Sequence, residues 1–184
     1  MSAPVGSLLV LGLGNVLLGD KKTGVHLLRE LERRAGQGDV TLPQETHLVD
    51  GGTLGPALLP LLAGARAVLV LDAVDLGLAP GEVTVLGREA LLARVGGSRA
   101  VQPAGVGDLL AAARLAGVLP GAVALVGVQL GEIAVGLELT AAVRAALPAA
   151  VTATIDELRR LDVATAAPGS WSLERTHEGA GSAA

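Results

Sequence analysis

Three apolar runs in this chain each end in side chains that can bind a cation or move a proton. Ser7–Leu13 runs into Gly14-Asn15 and then Asp20; Thr46–Val49 closes on Asp50-Gly51-Gly52-Thr53; Ala65–Leu71 ends at Asp72. A carboxylate at the end of a long apolar strand lies beside low-dielectric surroundings. It needs a metal, a cation or backbone donors to balance it. Asp72 is the first candidate for chemistry on that ground, with a turn or helix cap as the plainer alternative. Asp50 reads first as a turn residue bonding its own backbone, and Asp75 as a solvated acid. His26 falls inside a helical pattern as a partly buried helix residue, His47 on the outward side of a strand, and His177 near the C-terminus. Asp20, Asp50, Asp72 and His26 are also of the right types for a mixed oxygen and nitrogen metal site.

Other chemistries are excluded. Gly12-Leu13-Gly14-Asn15-Val16-Leu17 begins like a dinucleotide fingerprint, but Leu17 stands where the third glycine belongs. The following helix also starts too late to receive a pyrophosphate, and no Lys-Ser/Thr phosphate loop is present. With no cysteine in 184 residues, disulfides, zinc thiolate sites, Fe–S ligation and a Cys nucleophile are ruled out. A single Trp, no Phe or Tyr, and a net charge of −4 argue against nucleic-acid binding. The apolar run at 7–19 is broken by Gly12, Gly14, Asn15 and Gly19 and has no basic segment before it. Neither a membrane span nor a signal peptide is expected, and the default location is the cytoplasm.

The elements that must position these residues follow from periodicity. Ser7–Leu13, Ala65–Leu71 and Ala122–Val128 are continuous apolar runs, the pattern of strands buried on both faces. Thr46–Val49 is a further strand, and Gly81–Leu86 alternates as a strand suited to an antiparallel place at a sheet edge. Thr23–Ala35 carries Val25, Leu28 and Leu31 on one face, an amphipathic helix stopped by Gly36 and Gly38. Leu54–Leu62, Arg88–Ala93, Gly107–Ala116 and Thr140–Leu161 are the other helical stretches, the last interrupted by Pro148. Strands alternating with helices predict an α/β three-layer sandwich, a mostly parallel twisted sheet with helices on both faces and one antiparallel edge strand. The domain is expected over residues 1–162, and a disordered tail over 163–184 that includes Trp171. In such sheets ligands lie beyond the carboxyl ends of the strands. Asn15 with Asp20, Asp50 and Asp72 are therefore expected at one edge.

An ordered series of motifs runs through this frame: LGLGN (11–15), LLGD (17–20), GVHLL (24–28), LVDGGTLG (48–55), VLVLDAV (68–74), GxxDLL (105–110), LVGVQ (125–129) and Gly-x-x-Leu-Thr (136–140). In order and spacing the series resembles the [NiFe]-hydrogenase maturation proteases. These are endopeptidases that trim the C-terminus of a nickel-loaded hydrogenase large subunit. The resemblance implies a hydrolase whose partner is the large-subunit precursor and whose metal is the nickel of that precursor. It implies a cleft lined by Gly12, Gly14, Asn15, Asp20, Asp50, Gly51, Gly52 and Thr53. It also implies three metal-ligand positions, which fall on Lys21, Asp72 and Gln102, so that Asp72 alone keeps a ligand side chain. Lys22 replaces the glycine that follows the first ligand, and Gln129-Leu130 stand where a proline is usual. A Lys ammonium ~4 Å from a divalent ion costs roughly several kcal/mol even at an effective dielectric near ~20. A Gln amide is a weaker donor for nickel than imidazole. Two further readings stay open: a noncatalytic relative that binds the large subunit as an assembly factor, and a Rossmann-like nucleotide binder.

Overall fold

The chain's most apolar runs occupy the centre of the sheet. In the computed structural model, which describes residues 5–15, 17–95, 106–131 and 138–166, the five strands are β1 (Ser7–Leu13), β2 (Thr46–Gly52), β3 (Ala65–Val74), β4 (Val83–Gly87) and β5 (Ala122–Gln129). Their order is β2-β1-β3-β5-β4. Strands β1, β3 and β5 are buried along nearly their whole length, while β2 and β4, at the edges, are mostly half-exposed. All neighbours run parallel except β4, which lies antiparallel to β5 at the edge.

Side chains alternate across the sheet, so one strand feeds two cores. Leu8, Val10, Leu69, Leu71, Val126 and Val128 pack beneath α1 (Thr23–Gln37) and α5 (Ala141–Thr165). Leu9, Leu11, Val68, Val70, Val123 and Leu125 pack beneath α2 (Leu59–Leu62), α3 (Arg88–Val95) and α4 (Val106–Leu115). The result is the three-layer arrangement expected from the pattern. From β1 the chain passes to β2 on one side, then to β3 on the other. The topological switch therefore lies between the carboxyl ends of β1 and β3, where ligand sites form in open α/β sheets.

Several boundaries differ from the expected ones. Strand β2 continues through Asp50 to Gly52 because its register on β1 slips, Gly12 facing Asp50 and Leu13 facing Gly52. The Asp-Gly-Gly segment is thus an irregular strand end that also makes the expected turn: Asp50 accepts the Gly52 N–H at 3.1 Å, and the Leu54 N–H donates to the Gly51 carbonyl at 3.0 Å. Gly36 lies within α1, which stops instead at Gly38 in the left-handed conformation. The tail expected from 163 does not begin there, since α5 runs unbroken past Pro148 to Thr165. Its last turn is held by the Thr165 hydroxyl on the Leu161 carbonyl and by Arg66 on Asp162 at 2.5 Å. Trp171 and His177 lie outside the described residues, as does the remainder of the expected tail.

Candidate active site

The turn after β1 is shaped by one glycine that nothing else can replace. Gly14 has φ of 142°, and a Cβ there would lie 2.1 Å from the Lys21 carbonyl oxygen. The close approach lets the Asn15 N–H reach that carbonyl at 3.1 Å, while the Gly14 N–H donates to Gly52 at 2.9 Å. The Asn15 side chain accepts from the Leu17 N–H at 3.0 Å. One local fold thereby joins the ends of β1 and β2 to the segment carrying Asp20 and Lys21. Gly24 does the same for α1: a Cβ there would lie 2.1 Å from the Leu71 carbonyl oxygen and 2.3 Å from that of Leu13. The first turn of α1 can therefore rest directly on the carboxyl ends of β1 and β3.

Asp72 sits at this junction, within β3 and 8% exposed. Its Oδ1 accepts the Ala73 N–H at 2.8 Å, and the N–H of Val106, the first residue of α4, also donates to the carboxylate. Burial pushes its pKa up to about 7, against the opposing pull of these two N–H groups and the Lys21 ammonium. Desolvation outweighs hydrogen bonding and charge here, so this acid exchanges its proton near neutrality. Lys21, at the first position that the resemblance implied for a ligand, is close enough for its charge to act on Asp72. Gln102, at the third, lies outside the described residues.

Asp20 has a different task from the one its position suggests. It is 2% exposed. One carboxylate oxygen accepts the Thr140 N–H at 2.7 Å; the other accepts the Gly131 N–H at 3.0 Å and the Thr140 hydroxyl at 2.9 Å. Thr140 is the N-cap of α5. Asp20 thus ties the β1 turn to the segment after β5 and to the start of the last helix. Gln129 makes the companion tie. Its Oε1 accepts the N–H groups of Leu76 and Leu78, at 2.8 and 3.3 Å, and its Nε2 donates to Asp75 and to the Leu130 carbonyl, both at 3.2 Å. Asp75, read as solvated, is held by this amide. Gln129, Gly131 and Thr140 were not among the candidate residues. The sequence signal for Thr140 was its place before a helical run.

These positions decide whether a divalent ion fits. Among the described residues no three His, Asp or Glu converge as a metal-holding group. The cluster of Asp20, Asp50, Asp72 and His26 allowed by residue type is therefore not formed. The Asp20 carboxylate is engaged by Gly131 and Thr140. Asp50 accepts from the Gly52 N–H at 3.1 Å and pairs with Arg29 at 3.5 Å. His26 lines a groove between α1 and α5, where burial, Lys22 and Arg29 lower its pKa against Glu138. At the positions to which the resemblance points, a cation at Lys21 and a carboxylate already holding two N–H groups do not make a set suited to a resident divalent ion. Gly12, Gly14, Asn15, Gly51 and Gly52 do line the carboxyl edge of β1 and β2, with Thr53 exposed just beyond it.

Residues 25–157 match the family model described as hydrogenase maturation protease. Hydrogenase expression/formation protein HupD of Rhodobacter capsulatus is 38% identical over 170 residues, covering 91% of this chain and 74% of that protein. The hydrogenase 2 maturation protease of Escherichia coli K12 is 33% identical over 157 residues, covering 85% and 93%. In three dimensions the hydrogenase maturating endopeptidase HybD of E. coli superposes with a TM-score of 0.73 at 32% identity, covering 84% of this chain and 93% of that one. The [NiFe] hydrogenase maturation protease HybD of Thermococcus kodakarensis gives 0.65 at 25% identity, covering 83% and 99%.

Proposed function

Because the chain belongs to the hydrogenase maturation protease family, we propose that it works on the C-terminal end of a [NiFe]-hydrogenase large-subunit precursor into which nickel has been inserted. The metal on this reading belongs to the substrate, and the encounter takes place in the cytoplasm. The observation that carries the proposal is the frame at the switch point. Gly12–Asn15, the end of β2 and the buried Asp72 share one edge, with α1 and α4 opening beside it. Asp72 supplies a side chain that takes or releases a proton near neutral pH. The failed glycine fingerprint removes support for nucleotide binding at the same edge.

Lys21 favours a second reading within the same family: a relative that holds the precursor and cleaves it slowly or not at all. Holding needs complementary shape and surface. Cleavage needs stabilisation of a transition state, a larger demand. Both readings are tested by incubating the chain with a nickel-loaded precursor and following the precursor's mass. We expect co-purification with slow loss of the C-terminal peptide, and faster loss with a Lys21→Glu, Gln102→His double variant. The same variant is expected to bind free nickel more tightly by isothermal titration. Rapid cleavage by the unmodified chain would exclude the second reading. Failure to associate with any precursor would sink both.

A further inference from the structure

The groove containing His26 lies in the angle between α1 and the first turns of α5, with a volume of about 440 Å³. Leu147 and Pro148 supply its apolar wall, and Arg29, Arg33, Arg34 and Arg144 ring it. Four guanidinium groups gathered here contrast with a chain whose net charge is −4. Two of them are engaged. Glu30 takes Arg33 at 2.7 Å and Arg34 at 2.8 Å, and the pair holds the Glu30 pKa down to about 2. The other two stand on opposite walls and keep most of their donors. Arg29, 62% exposed, has one long contact with Asp50 at 3.5 Å. Arg144, 60% exposed, meets Glu138 at 3.2 Å and the Leu139 carbonyl at 3.1 Å through a single nitrogen. A guanidinium has five N–H donors in a fork matched to carboxylate. Exposed pairs such as Arg29–Asp50 and Arg144–Glu138 contribute little, so an arriving carboxylate displaces or joins them at small cost.

The groove is continuous with the candidate active site on two sides. Arg29 reaches Asp50 at the end of β2. Arg144 holds Glu138 and Leu139, immediately before the Thr140 that Asp20 grips. A segment seated in the groove would therefore enter or leave beside the turn that carries Lys21.

We propose that this groove is a second docking surface for the protein substrate, taking an acidic segment whose carboxylates fork onto Arg29 and Arg144 while an apolar neighbour rests on Leu147 and Pro148. The assignment rests on the functional reading above and adds to it a surface whose lining does not include Asp72. Opposite charges at such a surface act chiefly on capture and register of the partner.

The test measures binding of the full chain to nickel-loaded large-subunit precursor at low and moderate salt. An Arg29→Glu, Arg144→Glu variant is expected to bind ten-fold or more weakly and to lose most of the salt dependence. Arg114→Glu, an exposed change on α4 in the opposite layer, is expected to bind as the parent does. If the reversal disturbs folding, the Arg29→Ala, Arg144→Ala pair decides, with a three-fold or greater loss expected. Binding by the parent that equals that of the charge-reversed or alanine variant overturns the groove and leaves the family reading intact. An equal loss with Arg114→Glu also overturns it, since the effect would then be one of overall charge. Loss of heparin retention alone, with precursor binding unchanged, overturns it in favour of a general polyanion patch. No precursor binding by the parent removes the functional reading and the groove's partner together.

Discussion

Asp72 is a carboxyl group whose surroundings favour its neutral form although two backbone N–H groups and a cation oppose that form. Its pKa is about 7 in the fold against an ordinary 3.8. The sign of the consequence is fixed by linkage. Between these values the folded state holds a proton that the unfolded state has released, so Asp72 lowers stability as pH rises through that window. Above about pH 7 both states are ionised and the effect levels off. Urea unfolding of the parent and of Asp72→Asn should therefore diverge from pH 5 to 7, the parent losing stability relative to the variant by ~1.4 kcal/mol per pH unit at the steepest. A difference that stays constant over that range would show that Asp72 is ionised throughout. Lys21 adds a further contrast at this scale: its positive charge opposes the upward shift on Asp72 without cancelling it.

At the scale of elements, two side chains fasten loops that sequence order keeps far apart. Asp20 binds Gly131 and Thr140 across sequence separations of 111 and 120 residues, and Gln129 holds the β3–β4 loop across separations of about fifty. Asp20→Asn turns an acceptor oxygen into a donor facing buried N–H groups and is expected to cost ~2–4 kcal/mol. Thr140→Val removes one of those bonds together with the helix cap and is expected to cost ~1–2 kcal/mol. The two losses should not add, because they share a partner. Thermal melts of both single variants and the double variant measure the coupling, and strict additivity would mean that the bond between the Thr140 hydroxyl and Asp20 contributes nothing. The same residues mark the limit of what the sequence tells. Strands β1, β3 and β5 were legible because their runs are apolar throughout, and the antiparallel edge place of β4 because its run alternates. Asp72, expected at a strand end, lies inside β3, which runs on through Ala73 to Val74 in register with β5. That Asp20 faces Thr140 and not Asp72 was not legible, since no local pattern encodes a partner so distant along the chain. The resemblance marked the turn and the Gly-x-x-Leu-Thr stretch separately, and only the fold brings them together. The buried amide of Gln129 was equally hidden, its sequence neighbourhood being that of an ordinary strand end.

At the scale of the whole molecule, the sheet separates two aliphatic cores, and each must be roofed by its own helices. Val143, Val151, Leu158 and Leu161 of α5 are all buried against one face. Burial of four such side chains is worth on the order of 10 kcal/mol, as much as the entire stability of an ordinary domain. A chain ended at Leu139 is therefore expected to show no cooperative thermal transition by far-ultraviolet circular dichroism; a sharp one would mean that the two layers fold without this roof. The bond network of Asp20 gives this dependence an order in time. A ribosome makes the Asp20 turn early and Thr140 some 120 residues later, so for most of translation a carboxylate designed for burial has only water to bind. The Thr140 donors that hold the Asp20 carboxylate exist only once the start of the last helix has been made. A nascent chain stalled before that point is a protein with its strands written and its site unfinished.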